Sequence, residues 1–579
     1  MAIIPTNKEI AGVFRSIAEY LAMENIPWRP RAYERAAETI ETLDRSLADT
    51  YNQGGKKALE AVPGVGESIA GKIIELLTTG NLAYYQKLKK KTPVALDELT
   101  RVEGLGPKTI KLFWQKLKIK NLSDLETAAR AGRLRNLPRF GEKAEEKLLR
   151  SIEFLKKSRG RFLLSEIEPL ARELLTALKA EKSVEQALIA GSYRRRQETI
   201  GDIDVMATSS EPGKAIRAFC RARPVREIVS RGETKANVRL AAGIEADLRV
   251  LPEKSFGAAL QYFTGDKNHN VALRKIAIAK GMKLSEYGLF KKQKFIAGKT
   301  EEDIYAALGL DWIPPELRTA RGEIKAAAAH RLPKIIPYGS LKGDLQIQTS
   351  WTDGSVSIAE MAAAAKKIGL EYLAVTDHTK SLAMAHGLDE KRLVKQGTEI
   401  EALNKRLSKF RILKSAEVNV DKNGLLDIAD SALKKLDLVC VAVHSHFDLD
   451  KKTMTERIIR ALKNPLVNIL FHPTGRLIGR REPYQIDMLK LLRAAKQFGV
   501  ALEVNGSPER LDISDNLIRE AIKLGVKLVI NSDAHSPDHF RWLELGVAQA
   551  RRGWATKKEV LNTLPLNDFL AAIKSLKKR

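Results

Sequence analysis

Asp202 and Asp204 stand two residues apart in a strand-like run, Ile203-Asp204-Val205-Met206. Residues at i and i+2 of a strand point to one face. Two carboxylates side by side repel unless cations lie between them. Oxygen-only ligands suit Mg2+ or Mn2+. Asp247, in the strand-like Ala246-Asp247-Leu248-Arg249-Val250, supplies a third carboxylate. Just upstream, Leu188-Ile189-Ala190 runs into Gly191-Ser192, where backbone N–H groups and a hydroxyl can cradle phosphate. Arg194, Arg195 and Arg196 follow, and guanidinium groups suit a polyphosphate. Together these are the parts of a two-metal phosphoryl transfer site.

The elements that must position these residues differ along the chain. Residues 1–155 read as helices, with apolar residues at helical spacing in Ile10-Val13-Phe14-Ile17-Leu21 and Ile69-Ile73-Leu76-Leu77. A turn repeats there about every 40 residues: Pro63-Gly64-Val65-Gly66, Glu103-Gly104-Leu105-Gly106, and the degenerate Pro138-Arg139-Phe140-Gly141. Lysines follow each turn: Lys72, Lys108, Lys111 and Lys143. Residues 156–255 mix helices with short strands, and 256–313 return to helices and turns. A Pro/Ala/basic stretch, 314–338, reads as a linker. From Gly339 onward short apolar strands alternate with amphipathic helices, the pattern of a parallel α/β sheet or barrel. Chemistry in such folds sits at the C-terminal ends of the strands.

The 579 residues imply several domains. Lys and Arg number 99 against 71 Asp and Glu, a net charge of +28 that favours polyanionic partners. The two cysteines, Cys220 and Cys440, make neither a disulfide framework nor a zinc motif, so a reducing compartment is expected. No signal peptide or membrane span is apparent, and a cytoplasmic monomer is expected.

The segment Gly191 to Asp204 resembles the GS…GDxD signature of nucleotidyltransferases, and of the DNA polymerase beta-like X family in particular. Tyr262-Phe263-Thr264-Gly265 is similar to that family's YFTG turn, followed at the family spacing by Asn270 and Arg274. The resemblance implies a multidomain fold: a helix-hairpin-helix N-terminal region (1–85 binding a 5′-phosphate, 86–155 binding duplex), an α+β palm (156–255) and a thumb-like subdomain (256–313). It implies that Asp202 and Asp204 bind both metals, and that Asp247 binds the catalytic metal and orients or deprotonates the primer 3′-hydroxyl. Ser192 and Arg195, joined by Arg161, would hold the triphosphate. Tyr262 and Phe263 would line the sugar side, Asn270 would meet the base and Arg274 the template. Asp266, Lys267, His269 and Val271 depart from the family pattern. A cis peptide at Gly265–Asp266 is also implied.

The GxG turns resemble helix-hairpin-helix motifs, in which Gly64, Gly66, Gly104 and Gly106 would present N–H groups to DNA phosphate without reading sequence. Lys72 and Tyr33 stand at the positions of the family's 5′-deoxyribose-phosphate lyase. Ser68, Trp28 and Glu60 replace polar or basic residues of that pocket, so a Schiff-base lysine and a plain phosphate contact both stay open.

Residues 339–579 resemble a PHP (polymerase and histidinol phosphatase) domain, an α/β distorted barrel. Its metal positions match Asp353, His378, Glu417, His444, His472, Asp533 and His535. The motif that opens such sites, HxH, reads Gln346-Ile347-Gln348 here. An amide oxygen binds Mn2+ or Zn2+ more weakly than imidazole nitrogen. A depleted site with weak or absent 3′–5′ exonuclease or abasic-site cleavage is therefore expected, and Arg476, Arg480 and Arg481 are candidate phosphate contacts. The leading expectation is a polymerase that takes deoxynucleoside triphosphates and gapped or primed duplex DNA. Two alternatives are a PHP-type nuclease or phosphoesterase that uses the polymerase half as a clamp, and a non-enzymatic DNA-end binder.

Overall fold

The computed structural model describes residues 5–577 apart from 25, 27, 44, 103–104, 139 and 158–159. Glu103, Gly104 and Arg139 of the expected turns thus lie outside the described residues. The chain forms two compact units: 1–159 with 479–481, and 160–478 with 482–579.

The first unit is helical. Helix Asn7–Met23 starts at a capping box in which the Thr6 hydroxyl accepts from the Glu9 N–H. Ile10, Phe14, Ile17 and Leu21 of that helix bury against Ile69, Ile73 and Leu76. Tyr20 and Met23, near its end, join a second core built on Ile110, Phe113, Leu125 and Ile152. The repeated turn takes one form three times. Val65 N–H donates to Val62 O (3.0 Å), Leu105 to Val102 (3.1 Å) and Phe140 to Leu137 (3.0 Å). Gly64 has φ +78°, a conformation that favours glycine.

In the second unit a five-stranded sheet runs in the order Val184–Ile189, Asp202–Ser209, Glu245–Val250, Lys235–Leu240, Val225–Arg231. Alternation along Asp202–Ser209 separates two faces. Ile203, Val205 and Ala207 pack with Ile167, Leu174 and Phe219 of the covering helices. Met206 packs on the other side against Phe256, Ala259 and Leu260. Asp202 and Asp204 share Met206's side. Helices Phe256–Thr264, Lys267–Ala279 and Glu301–Ala307 and a three-stranded sheet complete this half.

Residues 314–338 join the two halves as packed structure. They carry helix Glu323–Ala328, and Arg318 and Glu323 are fully buried. Composition alone hides this, because both charges find buried partners: Arg318 binds Glu301, and Glu323 binds His269.

Beyond them, parallel strands form a sheet of three, in the order Gly343–Ile347, Tyr372–Val375, Arg411–Lys414, and a sheet of five, in the order Glu417–Asn419, Cys440–Ala442, Ile469–Leu470, Ala501–Asn505, Leu528–Asn531. Bridges Ile347–Ala534 and His378–Glu417 link the two sheets into a closed, distorted barrel. Helix Leu566–Leu576 plugs one end, with Phe569 stacked on Tyr372 at 5.3 Å. Cys220 and Cys440 are buried and free. Among the described residues no helix is long and apolar enough to cross a membrane.

Candidate active sites

The parallel register sets Asp204 directly opposite Asp247. Ala190 N–H donates to Asp204 O at 2.8 Å, so the next residue, Gly191, passes over the Asp204 side chain. Gly191 has φ +61°, and a Cβ there would lie 2.4 Å from Asp204 Oδ2. Glycine is needed at this point for both conformation and space. Burial, then the charges of Asp202 and Asp247, push the Asp204 carboxyl up to about 6, against Arg249 and Arg195. A trio held this way is short of counter-charge and suited to divalent cations.

The three arginines diverge, which corrects the expectation that all of them serve a polyphosphate. Arg194 donates to both carboxylate oxygens of Glu301 at 2.8 Å and to Thr264 Oγ1 at 2.9 Å. Arg196 pairs with Glu168 at 2.5 Å. Arg195 donates through Nη1 to Thr264 O at 2.7 Å, and its buried Nε has no partner among the described residues. Asp266, Asp204 and Asp202 act on its charge, so Arg195 is the one of the three guanidiniums coupled to the carboxylates. Arg161, at the edge, donates to Thr199 Oγ1 (2.9 Å) and Thr199 O (2.6 Å). Ser192 is half-buried in the turn Gly191–Arg194.

Tyr262 and Phe263 meet edge to face at 5.1 Å, and Arg249 lies 4.8 Å over the Phe263 ring. The Asn270 amide donates to Tyr262 O (2.6 Å) and Gly265 O (3.1 Å), so it holds the turn itself. The Gly265–Asp266 peptide is trans, contrary to the expected cis bond: the one cis peptide among the described residues is Asp512–Ile513. The trans linkage is well satisfied. Asp266 N–H donates to Arg318 O at 3.1 Å, and its carboxylate caps the next helix by accepting from His269 N–H at 2.7 Å. Arg274 lines an open cleft of about 320 Å3 with Tyr262, Lys283 and Ser285.

In the helical unit, Gly66 and Gly106 cap helices Glu67–Thr79 and Pro107–Leu117 with extended backbone and no side-chain cap, which leaves first-turn N–H groups available. Lys72 donates to Ser68 Oγ at 2.9 Å and lies 5.9 and 5.4 Å from the Tyr33 and Tyr84 rings. Burial, with Arg29 nearby, lowers its pKa against Glu75.

In the barrel, Glu417 is the centre. His472 Nε2 lies 2.7 Å and His444 Nε2 3.1 Å from its Oε1, and His378 Nδ1 is 3.4 Å from Oε2. Burial would raise this carboxyl, but the imidazoles of His378 and His444 hold it well below its ordinary range. Two groups bring their ligand atoms within 4.8 Å of one another: Asp353, His378 and His535, and His378, Glu417 and His444. Gln346 and Gln348 are fully buried. Gln348 Nε2 donates to Glu417 Oε2 at 2.8 Å, while its Oε1 has no partner among the described residues. The end of Gln346 lies 3.1 Å from Glu503 Oε2 and from Asn505 Nδ2. Arg510 Nε stands 3.4 Å from Asp533 Oδ2. The donors thus fit cations on the His378 side. On the glutamine side an amide and a guanidinium already occupy the carboxylates.

Arg476 is a further correction. A candidate phosphate contact or solvated side chain by sequence, it instead donates to Arg510 O at 2.9 Å and to Glu198 at 2.6 Å, with Leu511 O as a third partner. Sequence reasoning missed Glu301, Arg318, Glu503 and Asn505, whose partners are remote in the chain. It also passed over Asp377, although the Asp377-His378 pair was a visible signal. Burial raises the Asp377 carboxyl to about 6 against bonds from Thr349 and Thr352.

The palm geometry with its thumb, joined to a PHP-like barrel, defines a nucleotidyltransferase of the polymerase beta type. The DNA polymerase beta thumb pattern matches residues 259–319, a helix-hairpin-helix domain matches 5–82, and a SAM-like helix-hairpin-helix tandem matches 96–153. The chain is 34% identical over 572 residues to the DNA polymerase/3′-5′ exonuclease PolX of Bacillus subtilis (strain 168), covering 98% of this chain and 99% of the relative. It is 32% identical over 219 residues to a probable phosphatase of Thermoanaerobacter sp. (strain X514), covering 36% of this chain and 84% of that one. DNA polymerase lambda of Rattus norvegicus is 25% identical over 347 residues, 54% of this chain and 56% of that protein. The chain belongs to the PolX family of X-family DNA polymerases. It is a DNA-binding, divalent-metal-dependent DNA polymerase that carries a PHP domain.

Proposed function

We propose that the protein fills short gaps in duplex DNA during repair, adding deoxynucleotides from their triphosphates to a primer 3′ end, and that its barrel has little or no nuclease activity. The observation that carries the polymerase reading is the Asp204–Asp247 register with Gly191 pressed onto Asp204. Asp202, Asp204 and Asp247 would hold Mg2+ or Mn2+, which would offset phosphate charge and lower the pKa of the attacking hydroxyl. Ser192 and Arg195, with Arg161 beside them, bind the triphosphate. Tyr262 and Phe263 form the sugar wall, with Asn270 securing the turn and Arg274 lining the adjoining cleft. Gly64, Gly66 and Gly106 mark the turns whose N–H groups meet DNA phosphates. The protein acts as a monomer.

The weak-nuclease reading rests on the glutamine pair. Asp353, His378, His444, His472, Asp533 and His535 around Glu417 retain ligands for Mn2+ or Zn2+, yet Gln348 fills one side of Glu417. Extension of a one-nucleotide gap bearing a 5′-phosphate tests both halves. Wild type and Asp533→Ala should extend alike and Asp204→Ala should not. Metal-dependent exonuclease that is strong in wild type and lost in Asp533→Ala would instead favour the nuclease with a polymerase clamp.

A further inference from the structure

The barrel grips the nucleotide pocket at two places, and both grips run through one buried carboxylate. Asp515, on helix Asp515–Lys523 of the barrel, lies 3.2 Å from Arg552 Nε and 3.1 Å from Arg321 Nη1 through the same oxygen, Oδ2. Arg552 is 4% exposed.

The first arm runs from Arg552 to the segment that follows the triphosphate turn. Arg552 donates to Arg196 O and, at 3.2 Å, to Glu198 Oε1. The same Glu198 oxygen accepts from Arg476 at 2.6 Å and from Gln549 at 2.8 Å. Three barrel side chains therefore converge on one carboxylate only a few residues from Ser192 and Arg195. Leu511 and Leu545 of the barrel enter the palm core beside them.

The second arm runs from Arg321 to the sugar-side turn. Arg519 of the barrel donates to Arg321 O at 2.6 Å. Arg321 N–H and Ala320 N–H donate to the two oxygens of Glu323 at 2.7 and 2.8 Å. Glu323 Oε1 meets His269 Nδ1 at 2.7 Å, and His269 Nε2 meets Tyr305 Oη at 3.0 Å. His269 neighbours Asn270, which ties down Tyr262 and Gly265. Each of these links is buried or half-buried, where a lost partner leaves a costly unpaired group.

We propose that the PHP barrel is a positioning device for the incoming nucleotide. Asp515, Arg552, Glu198 and Arg321 are its positioning residues, and they set the spacing between the triphosphate turn Gly191–Arg194 and the sugar-side turn Tyr262–Gly265. Ordering the two turns before the nucleotide arrives removes the cost of ordering them from the binding step, so a rigid brace has direct value. This role asks nothing of the metal ligands, and it gives a barrel with a degraded cation site a reason to stay fully packed. The inference rests on the polymerase reading.

Steady-state insertion into a one-nucleotide gap tests it, with wild type, Glu198→Gln, Arg552→Ala, Arg552→Lys and Asp515→Asn as full-length proteins. KM for the deoxynucleotide, kcat and DNA Kd are read separately, with Tm as the control for folding. Glu198→Gln, Arg552→Ala and Asp515→Asn should each raise KM about tenfold while kcat and DNA Kd stay within about threefold. Arg552→Lys should recover part of the loss. Unchanged KM in folded, active variants overturns the inference alone, as does a parallel loss of kcat, DNA binding and Tm. Should Arg552→Ala fail to fold, the single-atom change Glu198→Gln decides by the same criteria. Absence of Asp204-dependent extension in wild type overturns the polymerase reading and this inference with it.

Discussion

The central carboxylates of the palm and barrel sites are in opposite states. In the palm, Asp204 faces Asp202 and Asp247, and burial and repulsion push it up to about 6. Its relief must come from outside. In the barrel, Glu417 is surrounded by three imidazoles and the Gln348 amide, and is held well below its ordinary range. Its relief is already internal. A metal site is therefore judged by what its carboxylates lack as much as by which residues are present. Frustrated carboxylates call for cations, whereas the donors that already hold a satisfied carboxylate compete with a cation for it.

The sharpest way to break this contrast is Asp204→Ala. Loss of a shared metal ligand should reduce gap extension by at least about 1,000-fold without changing metal content in the barrel. Residual extension within tenfold of wild type would end the palm assignment. Gly191→Ala comes next. Its new Cβ meets Asp204 Oδ2 at a positive φ, so kcat/KM should fall on the order of 100-fold and stability by about 1–3 kcal/mol. Restoring imidazole tests the other side. Gln346→His with Gln348→His should add about one equivalent of bound Mn2+ or Zn2+ per chain and raise exonuclease activity roughly tenfold. Unaltered metal content, measured by mass spectrometry, would show that the glutamines do not limit metal binding.

Glu301 offers a smaller effect with a defined pH sign. Burial opposes its charge, but Arg318 and Arg194 hold its carboxyl down to about 2. A depressed pKa contributes stability above the ordinary carboxylate value that is lost as pH falls through the folded value. The contribution, about 3 kcal/mol, should therefore be complete at neutral pH and fade between about pH 4.5 and 2. In urea titrations Glu301→Gln should lower stability by about that amount at pH 7 and flatten the acid slope. The smallest effect is expected at Lys72, whose partner Ser68 is neutral. Lys72→Ala should weaken binding of a 5′-phosphorylated gap by less than about fivefold. A borohydride-trapped DNA adduct that disappears in this variant would instead establish lyase chemistry.

Much of the site was legible because its signals are local. The i, i+2 carboxylates, the glycine before Ser192, the repeated GxG turns and the glutamines in place of histidines are all read within a few residues, and helical or strand periodicity supplies their orientation. What escaped was long-range. Arg194, Arg195 and Arg196 look interchangeable by residue type, and resemblance alone singles out Arg195; the reason, that Glu301 and Glu168 take its neighbours, is visible only in the structure. Arg476 looks like a surface phosphate contact, yet Glu198, 278 residues away, claims it. The stretch 314–338 looks like a linker because nothing local reveals that Arg318 and Glu323 are buried with distant partners. The order of domains, the polymerase class and the glutamines that stand in place of histidines at the barrel's opening motif were legible in the sequence alone, since each depends on residue type at short spacing. Which charges reach substrate and which bind the molecule together was decided only by tertiary structure, because a charge's role depends on the partner that desolvation forces upon it, and that partner is chosen by the fold.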